Sequence, residues 1–301
     1  MLKKRAIFLL IAVILLSSCT NSNCLIEKKE YSCQGFNVVD IIRQDENVTI
    51  SEIEYLSEGL KIKGFMADPK GIGTFPLILF NHGGKQGIEE MNWIDKLADN
   101  GYIVLASQYR GEGGSEGKVE VALGETTDVL NLLECGKNFQ KVDKERIGTI
   151  GFSHGGGITI EAMELSDDFK AGVEFWGPAD IKKRFENIEG KDDPVFGWVQ
   201  AVGDIGTGDQ LDEELIKRSP IYCIYKISAP LLIFHGEIDK LIPIEYSEDL
   251  VRALKMVGKK HEFVRYDNIG HAFERLDGTK DLQIEAESMA KTIEWFDKYL
   301  K

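Results

Sequence analysis

Apolar residues along the chain fall into two rhythms. Residues 48–55 and 60–66 alternate apolar with polar and are separated by Ser57-Glu58-Gly59, the pattern of a β-hairpin. Residues 75–80 and 102–107 are short continuous apolar runs, as expected of strands buried on both faces. Between them, residues 91–100 place Ile94, Leu97 and Ala98 at helical spacing and stop before Gly101. The alternation continues with a helix over 119–138, a strand over 146–152, a helix over 156–165 and a strand over 171–176. After a break come a strand over 231–235, a helix over 246–257, a strand over 262–266 and a last helix over 280–300. The last helix aligns Ile284, Met289, Ile293, Phe296 and Leu300. Strands alternating with helices in this way predict an α/β fold, a mostly parallel twisted sheet with helices on both faces. Residues 178–229 depart from the rhythm: they carry Gly, Asp and Pro clusters and no clear strand. They read as a partly helical insertion over one end of the sheet, and excursions of that length are usually functional.

The first residues follow a different logic. Lys3, Lys4 and Arg5 precede an apolar run over 6–16 that is too short to span a bilayer as a helix. Leu16-Ser17-Ser18-Cys19 follows and resembles the lipobox of bacterial lipoproteins, in which the cysteine is acylated and the chain is cut before it. A plain signal peptide with an incidental cysteine is the alternative. The expected organisation is a signal peptide over 1–18, a polar, aperiodic tether over 19–45 and one α/β domain over 46–301. The expected location is the cell envelope, with a lipid anchor on the outer side of the cytoplasmic membrane or in the outer membrane.

Composition narrows the class. Hydrophobic residues make up 43% and charged residues 29% of 301, which excludes a disordered tail, a collagen or a polytopic membrane protein. The formal net charge is −14, and it becomes −17 once Lys3, Lys4 and Arg5 leave with the signal. An acidic surface repels phosphate backbones, so no nucleic-acid partner is expected. An exported chain can hold disulfides. Apart from Cys19 the cysteines are Cys24, Cys33, Cys135 and Cys223, with no Cys-x-x-Cys spacing. Cys24 and Cys33 are close enough in sequence to close a small loop, whereas Cys135 and Cys223 read as buried, inert thiols. The pairing is not fixed by spacing.

The strongest chemical signal is Gly151-Phe152-Ser153-His154-Gly155, a Gly-x-Ser-x-Gly between a predicted strand and a predicted helix. Such a turn pushes the serine hydroxyl into the open at the C-terminal edge of the sheet, where α/β proteins bind ligands. A serine needs a base. On sheets of this kind the acid and then the histidine follow the serine in the chain. Of the late histidines, His271 follows Gly270 in a loop after the last strand, whereas His261 enters a strand behind two lysines and reads as a surface residue. For the acid, Asp239 is preferred and Glu237 is the fallback, both just beyond the strand over 231–235. Asn81-His82-Gly83-Gly84 follows another strand and offers backbone N–H groups to an oxyanion. Gly84, with Gly83 second, is expected to join the His154 N–H, while His82 reads as structural.

Together these residues resemble the catalytic domain of the prolyl oligopeptidase family, within the α/β-hydrolase superfamily and related to dienelactone hydrolases. The resemblance runs from about residue 48 to 300. It also rests on Tyr109-Arg110-Gly111 with Gly113, Gly114 and Gly117, on Arg218-Ser219-Pro220, on Ala229-Pro230, on His235-Gly236-Glu237-Ile238-Asp239, on Ile242-Pro243 and on Gly270-His271-Ala272-Phe273. It implies an α/β-hydrolase fold and hydrolysis of an acyl bond through Ser153, Asp239 and His271, with no cofactor and no metal. Two departures stand out. The expected tether leaves no room for the N-terminal β-propeller of large members, so peptidase specificity is not carried over. Lys85 stands where many members have proline. Arg110 is read as structural. Phe175, Trp176, Phe196 and Trp198 are candidates for an acyl pocket, with core packing the default for the first two. The expectation is a serine hydrolase acting on small esters, with short peptides as the alternative substrate. A non-catalytic surface lipoprotein that keeps the fold is the other class.

Overall fold

The computed structural model describes residues 24–84, 87–188 and 207–301. The signal segment, Cys19, Lys85, Phe196, Trp198 and the middle of the predicted insertion lie outside them. The chain opens with three antiparallel strands, β1 (Phe36–Gln44), β2 (Val48–Ser57) and β3 (Leu60–Pro69). It then alternates: β4 (Phe75–Asn81), α1 (Met91–Asp99), β5 (Ile103–Ser107), α2 (Leu123–Lys137), β6 (Val142–Phe152), α3 (His154–Leu165) and β7 (Phe169–Phe175). Two short helices, α4 (Ile181–Glu186) and α5 (Asp209–Lys217), stand in the described part of the 178–229 segment. The chain closes with β8 (Leu231–Gly236), α6 (Glu245–Met256), β9 (His261–Tyr266) and α7 (Leu282–Leu300). The strands form one sheet in the order β1-β2-β3-β5-β4-β6-β7-β8-β9, and every pair from β5 across to β9 is parallel.

Burial explains why the apolar runs became central strands. From Pro76 on, β4 is wholly buried, and so are β5 and β8. On one face Trp93, Ile94 and Leu97 of α1 and Phe296 and Leu300 of α7 share a core with Phe80, Val104 and Ile150. On the other, Leu130 and Leu133 of α2, Ile158 of α3 and Leu250 and Leu254 of α6 pack with Leu77, Leu79 and Ile147. The chain goes from β4 to β5 on one side and then crosses to β6 on the other. A crevice therefore opens between the C-terminal ends of β4 and β6, the place where α/β sheets receive ligands.

Several expectations are corrected. The tether read over 19–45 is, from Phe36, the edge strand β1, paired with β2 from Phe36↔Tyr55 to Gln44↔Thr49. Its apolar residues Val38, Val39, Ile41 and Ile42 are exposed, so no burial pattern announced it. Two irregularities in its register blunt the open edge. The α2 helix starts four residues later than its apolar pattern. The Glu125 carboxylate captures the N–H groups of Glu120 and Val121, and Val121 and Ala122 turn to positive φ. The cysteines are neither free nor joined as neighbours: Cys24 is bonded to Cys223 and Cys33 to Cys135. Both bonds staple the N-terminal segment to the domain. Lys28 adds an ion pair to Asp167, and Ile26 is buried in the core. Arg110 is structural, as read: it is buried and ion-paired with Glu58, Glu120 and Asp128.

The two bonds close stretches of 199 and 102 residues. Cross-links over loops this long restrict the unfolded chain strongly, by about 3–5 kcal/mol each. Replacing Cys33 and Cys135 together by serine is expected to lower the unfolding free energy by that amount in urea titration under oxidising conditions. Under full reduction the variant and the parent chain are expected to coincide.

Candidate active site

Ser153 stands between β6 and α3 with φ 51° and ψ −119°, a conformation that side chains rarely adopt. What forces it there is the close approach of three backbones. A Cβ on Gly151 would lie 2.0 Å from the Gly155 carbonyl oxygen, and one on Gly155 would lie 2.1 Å from that of Asn81. Only glycine fits at either position. The Ser153 N–H donates to the Phe175 carbonyl at 2.8 Å, which ties the turn to the end of β7. The hydroxyl is thereby lifted above the β4–β6 crevice.

The histidine and the acid arrive from the far side of the sheet. His271 follows Gly270 in a single 3-10 turn after β9, in which Ala272 and Phe273 both have positive φ. Its Nε2 lies 3.0 Å from Ser153 Oγ, and its Nδ1 lies 2.7 Å from Asp239 Oδ2. Asp239 leaves the end of β8, and its side chain is fully shielded from solvent. The other carboxylate oxygen, Oδ1, accepts the N–H groups of Leu241 and Ile242, each at 2.9 Å. Glu237, the fallback acid, is paired with Arg265 instead. His261 begins β9, half-buried, with its Nδ1 on the Lys259 carbonyl. The structure thus brings Ser153, Asp239 and His271 together and leaves the alternatives elsewhere.

A residue to which the sequence gave no role of its own supports the acid. His235, fully buried at the end of β8, places Nε2 at 2.8 Å from the Ile242 carbonyl and 3.5 Å from Asp239 Oδ2. Its Nδ1 is 2.7 Å from Ser247 Oγ on α6. With a carbonyl facing it, Nε2 carries a proton and donates it there. His235 therefore holds the 239–242 turn whose amides bind the carboxylate.

On the opposite side, Asn81 pairs in register with Gly151, which sets the loop after β4 against the serine. A Cβ on Gly83 would lie 3.2 Å from that of Ser153. The Gly83 N–H is directed to Glu90 Oε1 at 3.4 Å. Gly84, with φ 71°, faces the cavity. His154 begins α3, and its ring is buried edge-on to Tyr109. His82 is buried and stacked on Tyr109 at 4.1 Å, and burial lowers its pKa to about 4, so it is neutral at ordinary pH.

Above Ser153 opens a cavity of about 520 Å³. Trp93, Trp176 and Phe273 supply its apolar wall, and Glu89, Glu90 and Glu285 bring carboxylates to it. Trp176, for which core packing was the default reading, is buried but also reaches the site, with its ring 5.5 Å from that of His271. Phe175 packs purely in the core, stacked between Phe152 and Phe234. Trp93, absent from the helical stripe of Ile94, Leu97 and Ala98 read in the sequence, is buried in the core and also lines the cavity.

Comparison with known proteins decides the family. The prolyl oligopeptidase family model matches residues 90–301. The chain belongs to the prolyl oligopeptidase family. It is thus a serine hydrolase of the α/β-hydrolase fold. It is 31% identical to the uncharacterized peptidase YtmA of Bacillus subtilis over 231 residues, which are 76% of this chain and 88% of YtmA. It is 28% identical to the putative esterase YitV of the same organism over 275 residues, 85% of this chain and 99% of YitV. Among solved structures, the acylaminoacyl peptidase of Pyrococcus horikoshii superposes with a TM-score of 0.69 at 22% identity. That match covers 92% of this prolyl oligopeptidase family chain but only 51% of the archaeal one.

The electrostatics of the acid carry a pH dependence. Burial by itself would raise the Asp239 carboxyl. Hydrogen bonds with His235 and His271 and from the Ile242 amide outweigh it and hold the group at about 2, below its ordinary value. A folded value below the unfolded one adds stability that is complete above about pH 4 and is lost as pH falls toward 2. The gap is worth about 2 kcal/mol. Asp239→Asn is accordingly expected to be less stable than the parent by about that much at pH 6. The difference should shrink toward pH 2 when urea unfolding is followed across the range.

Proposed function

We propose that Ser153, His271 and Asp239 are the catalytic triad of a small-ester carboxylesterase. The observation that carries this reading is the unbroken pair of hydrogen bonds from Ser153 Oγ through both ring nitrogens of His271 to Asp239. The Asp239 carboxylate accepts the Nδ1–H, which leaves Nε2 bare and facing the serine hydroxyl. As Ser153 Oγ attacks the acyl carbon, Nε2 takes its proton and later gives it to the leaving alcohol. Asp239 keeps the ring oriented and stabilises its cation. The tetrahedral oxyanion lies between the His154 N–H at the start of α3 and the Gly84 N–H. Gly84 is preferred over Gly83 because the Gly83 amide is directed to Glu90. One such donor typically lowers the barrier by about 3 kcal/mol. Water then repeats the sequence on the acyl-enzyme, with His271 as base.

The apolar wall of Trp93, Trp176 and Phe273 suits a small acyl group or leaving group, which favours the ester reading. A second reading has its own support. Glu89 and Glu90 stand at the cavity, where carboxylates suit the free ammonium of an aminoacyl substrate, and the relative YtmA is named a peptidase. Short-chain nitrophenyl esters and aminoacyl nitroanilides separate the two. The ester reading expects turnover of the esters to exceed that of the anilides by at least about tenfold in kcat/KM beyond their intrinsic difference in reactivity, and the reverse order selects the peptidase.

Ser153→Ala is expected to reduce kcat by about 10⁴-fold or more, with an unchanged circular dichroism spectrum. The same change should abolish labelling by a fluorophosphonate. Parent-level turnover in that variant, or a parent enzyme that resists the label, refutes the nucleophile.

A further inference from the structure

The cavity above Ser153 does not end at its own walls. A groove of about 710 Å³ adjoins it, and Asn92 and Glu285 line both. The groove lies between α1 and α7. Near the start of both helices Asn92 Nδ2 donates to Glu285 Oε1 at 3.2 Å, and past their ends Lys301 Nζ donates to the Asn100 carbonyl at 2.8 Å. The two helices therefore run side by side in the same direction, tied at head and tail. Glu285 also accepts from Trp93 Nε1 and Lys280 Nζ, which fixes it as a sill between cavity and groove.

The two walls of the groove differ. On α1, Asn92, Asp95, Lys96 and Asp99 recur at the spacing of one helical face. On α7, Leu282, Ala286, Met289, Ala290 and Ile293 make the facing wall apolar. Leu282 is 69% exposed, so this stripe meets water. From Asn92 to Asp99 the groove follows α1 for about 10 Å. The β1–β2 connection brings Arg43 and Asp45 to the same wall, and Arg43 is taken by Asp45 and Asp95. Asp45, Asp95, Asp99 and Glu285 thus face Arg43 and Lys96, an excess of negative charge. Asp99 is the last residue of α1, where the carbonyl end of the helix adds to it. One wall suits methylenes, and the other suits a cation.

We propose that the substrate is an ester or amide that is small on one side of the scissile bond and elongated on the other. Its long arm lies in the α1–α7 groove, with methylenes against α7 and a terminal ammonium or guanidinium beside Asp99. That the arm belongs to a substrate rests on the triad reading above; the preference of the groove for such an arm does not.

The test compares nitrophenyl monoesters of 12-aminododecanoic and dodecanedioic acids, which carry arms of one length with a cationic or an anionic tip. Acetate esters of the corresponding alcohols, 12-aminododecanol and 12-hydroxydodecanoic acid, place the arm on the other side of the bond. Below micellar concentrations and at low salt, at least one of the two series is expected to favour the cationic tip by at least about tenfold in kcat/KM. Ala290 is exposed on α7, and arginine suits a helix. Ala290→Arg is expected to cut that ratio by at least about fivefold, and Lys96→Glu, on the exposed face of α1, is expected to raise it. A ratio near one in both series, or a ratio that neither variant moves, overturns the groove. A protein that takes no fluorophosphonate and turns over none of these esters overturns the triad reading instead. The groove is then decided by calorimetric titration with 1,12-diaminododecane. Binding that Ala290→Arg weakens by at least about fivefold supports it, and no binding, or binding that the variant leaves unchanged, overturns it.

Discussion

The site depends on one steric constraint, the near-contact of backbone where β6 turns into α3 beside the end of β4. No side chain separates Gly151 from the Gly155 carbonyl, or Gly155 from the Asn81 carbonyl. That closeness forces Ser153 into left-handed φ and brings the loop after β4 within reach of it. The strain is local, and the cost is met by the surroundings: the Ser153 N–H is paired, and Phe152 and Phe175 are stacked beneath at 4.6 Å. A turn supported in this way presents its hydroxyl in one place, which a flexible loop would not do.

The acid is organised on a different principle. A carboxylate fully shielded from water is costly unless every lone pair finds a donor. Asp239 meets that demand with two amides, the His271 ring and the nearby His235. Two of these partners come from the β8–α6 connection, His235 comes from the end of β8 itself and His271 from the loop after β9, so the carboxylate also fixes the distance between two loops. His235 reaches on to Ser247, which couples that geometry to the seating of α6.

The sequence was most informative where burial imposes a period. The apolar runs that became β4, β5 and β8, and the helical stripes of α1, α6 and α7, were visible because each has a face that must avoid water. The strand β1 was not, because it is held by hydrogen bonds to β2 with Val38, Val39, Ile41 and Ile42 left exposed. Ser153, Asp239 and His271 were legible from turn chemistry and chain order, since a strained glycine-flanked serine and a late Gly-His loop have few other uses. His235 was hidden, because a buried histidine at a strand end looks the same whether it supports an acid or merely fills a core. The cysteine pairing was hidden for a related reason: contacts across 102 and 199 residues leave no trace in spacing.

Those two bonds are nested, the 33–135 link lying inside the 24–223 link in chain order. In a chain synthesised from its N-terminus, Cys24 and Cys33 are both available long before either proper partner. An oxidant acting on thiols as they appear would join these two first, and that link has to be undone by thiol–disulfide exchange before the staples can form. Oxidative folding of this chain therefore calls for reshuffling of sulfur as well as its oxidation, because Cys223, which secures the N-terminal segment, comes last of the four in chain order.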